Sequence, residues 1–344
     1  MRRLSPCGSK LGESMTKYLI TGGNGVFGVH TALHLLNETD PERVVCVGRN
    51  FERPEPFSLG LGRGDDRYSY YQLHITYEID RFCELLDEVK PDIIINFAAL
   101  SEVAASFQHA WRYYDTNVSA LAKMTEHLGK QSYLKRFVHI GSSEVYGSVD
   151  HAVNEDAPIV PSSPYAASKA AGDMHLISIA NVLGFPMNIL RPSNCYGPGQ
   201  LLYRILPRAV LCGLTNRTLP LQGGGKAEKS YMHAIDLARG IHLVCEKAAL
   251  GKMYNLGPLE PVTIRSLVEM TAEHIGIPFE DLCEIVSDRP GQDMRYWLDS
   301  SKIKKDLGFE PMISLSDGVQ SMVDWGRHHL QQIRELPDFF KFQA

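Results

Sequence analysis

Tyr165 and Lys169, four apart in "SPYAASK", are the first residues whose types and spacing could do chemistry. On a helix that spacing puts phenol and amine on one face. A phenol is a poor base near neutrality, its ordinary pKa being about 10. Beside an ammonium and a cationic nicotinamide its anion is favoured, and it can then take a proton from an alcohol as hydride leaves. Upstream, "HIGSSEVYGS" carries the apolar run "RFVHI" into Ser142, Ser143 and Glu144. A carboxylate at a strand end is ordinarily a solvated loop residue. Two hydroxyls beside it, ahead of a Tyr-Lys pair, make it a candidate acid or base.

The third group is "TGGNGVFG", residues 21 to 28. Glycines at 22, 25 and 28 permit a tight turn, a close approach of pyrophosphate to backbone, and contact of helix with strand. An NAD site normally closes its second strand with an acid that holds the ribose 2′-hydroxyl. Here "CVGRNF" offers Gly48 and then Arg49. A guanidinium in place of a carboxylate suits a 2′-phosphate, so NADP is expected in preference to NAD.

These groups need a scaffold, and the pattern around them supplies one. "KYLIT" and "RVVCVG" are apolar runs of strand type separated by "GVHTALHLLNETD", whose Val29, Ala32, Leu35 and Leu36 fall on one helical face. The unit recurs: helical "CELLDEVK" precedes "DIIINFAA", helical "NVSALAKMTEHLGKQ" precedes "RFVHIGSS", and helical "SKAAGDMHLISIANVLG" precedes "PMNILRPS". Near-continuous apolar strands predict an α/β fold, a Rossmann-type doubly wound parallel sheet covered on both faces. After about Arg191 the rhythm loosens into Gly- and Pro-rich turns, which predicts a smaller, irregular substrate-binding region closing over the sheet edge. The expected divisions are a flexible tail at 1–16, a nucleotide-binding domain at 17–190, a mainly substrate-binding region at 191–334 and a loose end at 335–344.

The chain of 344 residues is 44% hydrophobic and 22% charged, with a formal charge of −5 and no basic block, which recommends neither nucleic acid nor an anionic membrane as partner. Seven cysteines are scattered without CxxC pairs, as in a reducing cytosol, and the 13 histidines show no metal-ligand spacing. No segment reaches the roughly 18 apolar residues needed to span a bilayer. A cytoplasmic protein without a bound metal is expected.

With these motifs in place, the chain resembles the extended short-chain dehydrogenase/reductases that act on nucleotide sugars. More narrowly, "FVHIGSSEVYG", "SPYAASKAAGD", "RPSNCYGPGQ", "GGGKAEKSYMHAIDLARGI" and "DRPGQDMRYWLDSSKIKKDLGFEP" are similar to the 4,6-dehydratases of nucleotide hexoses, of dTDP-glucose or GDP-mannose type, over roughly residues 17 to 325. The resemblance implies oxidation at C4, loss of water across C5 and C6, and hydride return to C6 by one tightly held NADP or NAD, giving a 4-keto-6-deoxy sugar. It implies that Ser142 bonds the sugar's 4-oxygen and that Glu144 removes the C5 proton. Ser143 stands where glucose-type members have an acid, so the protonated Glu144 would return its proton at C6. Gly22, Gly25, Val26, Phe27, Gly28, Arg49, Ala98, Ala99, Tyr165 and Lys169 would line the cofactor. Ser101, Glu102, Asn194, Lys229 and Arg289 would face the nucleotide sugar. A homodimer through a four-helix bundle, built by helices around 105 to 130 and 165 to 181, is also implied.

Departures from the family pattern mark where this chain differs. Glu102 replaces the histidine of "SHVAxSF", His74 stands where an acid usually meets adenine, and Lys229 replaces an arginine. A 4-epimerase or a UDP-glucuronate decarboxylase of the same family is the nearest alternative. Epimerases generally lack the glutamate, and decarboxylases place an arginine where "YGPGQ" has Gly199. A catalytically silent cofactor-binding subunit is the alternative from another class.

Overall fold

The computed structural model describes residues 16–287 and 295–340. Seven parallel strands form the main sheet: β1 (Lys17–Thr21), β2 (Arg43–Gly48), β3 (Tyr68–Gln72), β4 (Ile93–Asn96), β5 (Arg136–Ile140), β6 (Met187–Pro192) and β11 (Met253–Leu256), in the order β11-β6-β5-β4-β1-β2-β3. The chain winds outward from β1 to β3, then returns to the other side of β1 with β4. That reversal opens a crevice beyond the carboxyl ends of β1 and β4, where open α/β sheets bind ligands.

Strand alternation explains why these runs are apolar throughout. Val44 and Cys46 of β2 enter one core layer while Val45 and Val47 enter the other; in β4, Ile93 and Ile95 oppose Ile94 in the same way. One face is covered by α1 (Val26–Glu38), through Val29, Ala32, Leu35 and Leu36, and by α8 (Ala234–Lys247), through Leu237, Ile241 and Val244. The other face is covered by α2 (Ile79–Val89), α5 (Leu121–Leu128) and α6 (Pro164–Leu183). Both α8 and the outermost strand β11 come from beyond residue 191, so the later segment contributes to the sheet layer as well as to the irregular region.

The stretch expected as a helix near 105 to 130 is helical from Ala110 to Leu128, widened in its middle and preceded by a separate turn. α3 (Val103–Ser106) and α4 (Ala110–Tyr114) are followed by a π turn at Asp115–Ala120 before α5. Within that turn Asn117 is buried and fully used. Its Oδ1 accepts from Leu100 N at 2.9 Å, while Nδ2 donates to Leu100 O at 3.1 Å and to Ser168 Oγ at 2.9 Å. Gly172 of α6 lets the widened turn approach, since a Cβ there would stand 3.1 Å from the Asn117 carbonyl oxygen. Such turns recur near functional sites.

Past β6 the region is built from short ladders. β7 (Asn194–Tyr196) pairs with β10 (Tyr231–His233), β8 (Leu219–Gln222) with β13 (Cys283–Val286), and β9 (Glu228–Lys229) lies between β12 (Val262–Thr263) and β14 (Arg295–Tyr296). α7 (Ile205–Leu214), α9 (Ile264–Ile275) and the helix Leu315–His328 pack around them, burying Val210, Leu267, Val319 and Met322. No described helix is long and apolar enough to cross a membrane. Among the described residues no group of three His, Cys, Asp or Glu side chains could hold a metal.

Candidate active site

β5 delivers the candidate triplet Ser142, Ser143 and Glu144. The strand ends at Ile140, and Ser142 caps a short 3₁₀ turn, Ser143–Tyr146, its Oγ accepting from Glu144 N at 3.2 Å. The cap fixes Glu144 at the strand's carboxyl end, with both serines buried. α6 delivers the other pair. Ser163 Oγ accepts from Ala166 N at 3.1 Å and Pro164 occupies the first turn, so the helix starts one residue before Tyr165. The Tyr165 phenol hydrogen-bonds Ser142 and feels the Glu144 charge. Burial first and Glu144 second push it well above its ordinary range, with Ser142 and Arg204 opposing.

Lys169 follows one turn later. Its Nζ donates to Ile140 O at 2.6 Å and lies 3.4 Å from His139 Nε2; burial lowers the amine to about 8, and Asp173 opposes the shift. His139 is itself oriented. Thr21 Oγ1 donates to Asn96 Oδ1 at 2.5 Å, so Asn96 Nδ2 is left to donate to His139 Nδ1 at 2.9 Å. Nε2 of the same ring faces Asp173 Oδ1 at 3.7 Å. Asp173 also pairs with the buried Arg191 at 2.8 Å, and Arg191 donates to the Tyr146 hydroxyl at 2.8 Å. Gly141 makes room for this pair, because a Cβ there would stand 3.1 Å from Arg191 Cγ and 3.2 Å from Asp173 Oδ1.

The glycine loop has room for a dinucleotide. Gly22 has φ +68, and a Cβ there would lie 3.0 Å from Ala98 N; at Gly28 it would lie 2.6 Å from Gly22 O. These two glycines serve close backbone packing. A Cβ on Gly25 would crowd only Gly22 O, at 3.2 Å, so its absence matters chiefly for what approaches from outside. Gly25 caps α1 without a side-chain hydrogen bond, which leaves the amides of Val26, Phe27 and Gly28 at the helix start for an anion. Ala98 N donates to Thr21 Oγ1 at 3.3 Å, bringing the Ala98–Ala99 segment beside the loop. At the end of β2 a Cβ at position 48 would press on the Tyr70 hydroxyl at 2.7 Å, which favours the glycine found there. Arg49 is exposed there, and Asn24 of the glycine loop binds the next turn through Phe51 O at 2.7 Å and Arg53 N at 2.9 Å. His74 stacks on Tyr77 with ring centroids 4.4 Å apart.

On the substrate side Ser101 is exposed and Glu102 caps α3. Glu102 meets Arg204 at 3.3 Å, a partner that the sequence motifs did not single out. Asn194 N donates to Ser230 O at 3.1 Å, so Asn194 and Lys229 are near neighbours across two short ladders. Lys229 Nζ lies over the Tyr296 ring, 4.7 Å from its centroid. Arg289 lies outside the described residues. The triplet, the Tyr-Lys pair and the glycine loop thus converge at the carboxyl ends of the sheet, while Asn194 and Lys229 form a separate, more open group. His139 and Asp173 were missed by sequence reasoning, although Asp173 stands four residues after Lys169 on the same face of α6.

Comparison with known proteins agrees with this geometry. The profile of the GDP-mannose 4,6 dehydratase family matches residues 19–322. A dTDP-glucose 4,6-dehydratase of Neisseria meningitidis is 32% identical over 334 residues, covering 90% of this chain and 93% of its own. A dTDP-glucose 4,6-dehydratase from Streptomyces venezuelae, solved with NAD bound, superposes with a TM-score of 0.84 at 31% identity, covering 91% of this chain and 98% of that one. A UDP-glucuronic acid 4-epimerase from Bacillus cereus, solved with UDP-glucuronic acid and NAD, gives 0.81 at 26% identity, covering 91% and 99%. With the profile spanning most of the chain and a relative above 30% identity covering nine-tenths of it, this protein belongs to the GDP-mannose 4,6 dehydratase family.

Proposed function

We propose that the chain converts a nucleotide-diphosphate hexose to its 4-keto-6-deoxy derivative, a lyase reaction with internal redox. The observation that carries this reading is Glu144, held by the Ser142 cap beside the Tyr165 phenol; a simple dehydrogenase would need the phenol but no second base. The nicotinamide cofactor, when bound on the glycine loop, supplies hydride chemistry at C4 and C6. Tyr165 takes the O4 proton while Ser142 holds that oxygen. Lys169, whose amine is brought to about 8 by burial, provides the cation that favours phenolate. Glu144 then takes the C5 proton, acidified by the adjacent ketone, and returns a proton to the departing C6 oxygen, since Ser143 has no acid to give. The protons released from O4 and C5 equal those consumed by the departing water and by the new C5–H bond. Asn194, Lys229 and Arg289 would hold the diphosphate.

Glu144→Gln keeps size and hydrogen bonding but removes the base. It is expected to slow dehydration by about 10² to 10⁴, while reduced cofactor and a 4-keto hexose that has not lost water accumulate. Rapid-mixing absorbance and mass spectrometry of the product read both. Dehydrated product at near wild-type rate would defeat the mechanism, and loss of carbon dioxide instead of water would identify a decarboxylase.

Two finer readings belong here. The two similar structures above were solved with NAD, whereas the acid-free end of β2 with exposed Arg49 favours a 2′-phosphate. Arg49→Ala is expected to narrow an NADP preference by about fivefold, the scale of roughly 1 kcal/mol for an exposed ion pair. Equal affinity for NAD and NADP in wild type and variant, by calorimetry, would remove that preference. A cytosolic homodimer is also proposed. Trp111, 61% exposed on α4, and Met174, 53% exposed on α6, are apolar surface on the two helical segments that would form the bundle.

A further inference from the structure

Glu102 and Arg204 reach toward each other from two walls of the cleft. Glu102 ends the loop that follows β4, and Arg204 immediately precedes α7 in the later region. Arg204 meets Glu102 Oε2 at 3.3 Å, and that oxygen is buried and makes no hydrogen bond among the described residues, so the contact is an ion pair that neutralises the guanidinium. Both ends are braced. The Tyr113 hydroxyl donates to the Glu102 carbonyl at 2.5 Å, and the Arg204 guanidinium lies 5.0 Å from the Tyr203 ring centroid. Tyr113 packs edge-on against Tyr165, with centroids 6.4 Å apart. The ion pair therefore stands one aromatic ring from the phenol that must receive O4 of the sugar, and the Arg204 charge is felt at that phenol.

An arginine alone at this place would be a receptor for carboxylate, because its planar fork matches two oxygens. Paired with Glu102 it presents no net charge, and an incoming carboxylate would both face Glu102 and compete with it. The same architecture accommodates UDP-glucuronic acid in the Bacillus cereus epimerase, so acceptance or refusal of a charged sugar must lie in side chains and not in the fold. Resting on the nucleotide-sugar reading above, we propose that the Glu102–Arg204 pair is a charge filter. It admits hexoses with an uncharged hydroxymethyl at C6 and rejects the corresponding uronates, and it does so by keeping Arg204 neutralised.

The test is the ratio of dissociation constants for matched glucose and glucuronate esters of UDP, dTDP and GDP, measured by calorimetry on cofactor-loaded enzyme. Wild type is expected to favour the hexose by at least about tenfold. Glu102→Gln, which exposes the guanidinium, should shift the ratio toward the uronate by a similar factor, and adding Arg204→Gln should cancel that shift. A ratio within twofold of wild type in Glu102→Gln overturns the filter. Because binding is measured, this outcome is separable from failure of the dehydratase reading, which would appear as wild-type binding of a hexose ester without loss of water. Binding of no ester by wild type would contradict both.

Discussion

The two halves of the cleft hold their functional side chains by different means. Tyr165, Lys169, Ser142 and Ser143 are buried at the end of β5 and on a 20-residue helix, backed by hydrogen bonds from Thr21 through Asn96 to His139 and by the Asp173–Arg191 pair. Asn194, Lys229 and Glu102 are only partly buried and stand on strands of two or three residues or beside loops. Chemistry needs atoms fixed to fractions of an ångström, so it is placed where packing determines each rotamer. Recognition of a flexible diphosphate, the role proposed for the open half, tolerates looser mounts.

Breaking the rigid half should cost most. Asp173→Ala strands the buried Arg191 guanidinium without its carboxylate, so the expected loss is about 3–5 kcal/mol of unfolding free energy, read from urea denaturation. A loss below about 1 kcal/mol would mean that the wall behind Lys169 is not held by this pair. The open half should respond through binding alone. Lys229→Ala is expected to remove the proposed charge-assisted phosphate contact, of roughly 1.5–3 kcal/mol, raising KM for the nucleotide sugar with kcat and melting temperature nearly unchanged. A fall in kcat with KM constant would place Lys229 in the rigid set.

Acid sharpens the contrast more gently. Burial first and the neighbouring His30 second lower His233, the cap of α8, to about 4 from an ordinary 6.5. The unfolded chain therefore binds the extra proton between those values. Stability is fully present above about pH 6.5 and declines as pH falls toward 4, by at most about 1.4 kcal/mol per pH unit for this one group. His233→Gln should flatten that part of the melting-temperature profile, and an unchanged slope would assign it to other buried histidines.

Much of the rigid half was legible because its signals are local. The glycine spacing, the Tyr165–Lys169 face and the hydroxyl-rich end of "RFVHI" each lie within one element, and the period of the apolar runs anticipated the parallel sheet. The missed parts depend on distant residues. Nothing in "SSEVYG" announces that Gly141 must clear a carboxylate from α6, and Glu102 gives no hint that Arg204, about a hundred positions later, will meet it. The helix expected around 105 to 130 runs from Ala110 to Leu128, but its π turn was not legible, because it goes with Asn117 satisfying the distant backbone of Leu100.

The position of β11 has a consequence for biogenesis. While the chain is being made, β6 emerges with one edge unpaired, and some sixty further residues must follow before Met253–Leu256 can cover it. Arg191, buried in the finished protein beside the Tyr146–Asn255 hydrogen bond, has no complete pocket until then. A nascent nucleotide-binding half thus carries an open sheet edge and an unfinished charged core, both of which invite association with other chains. The order of synthesis leaves that edge open until residue 256 has emerged.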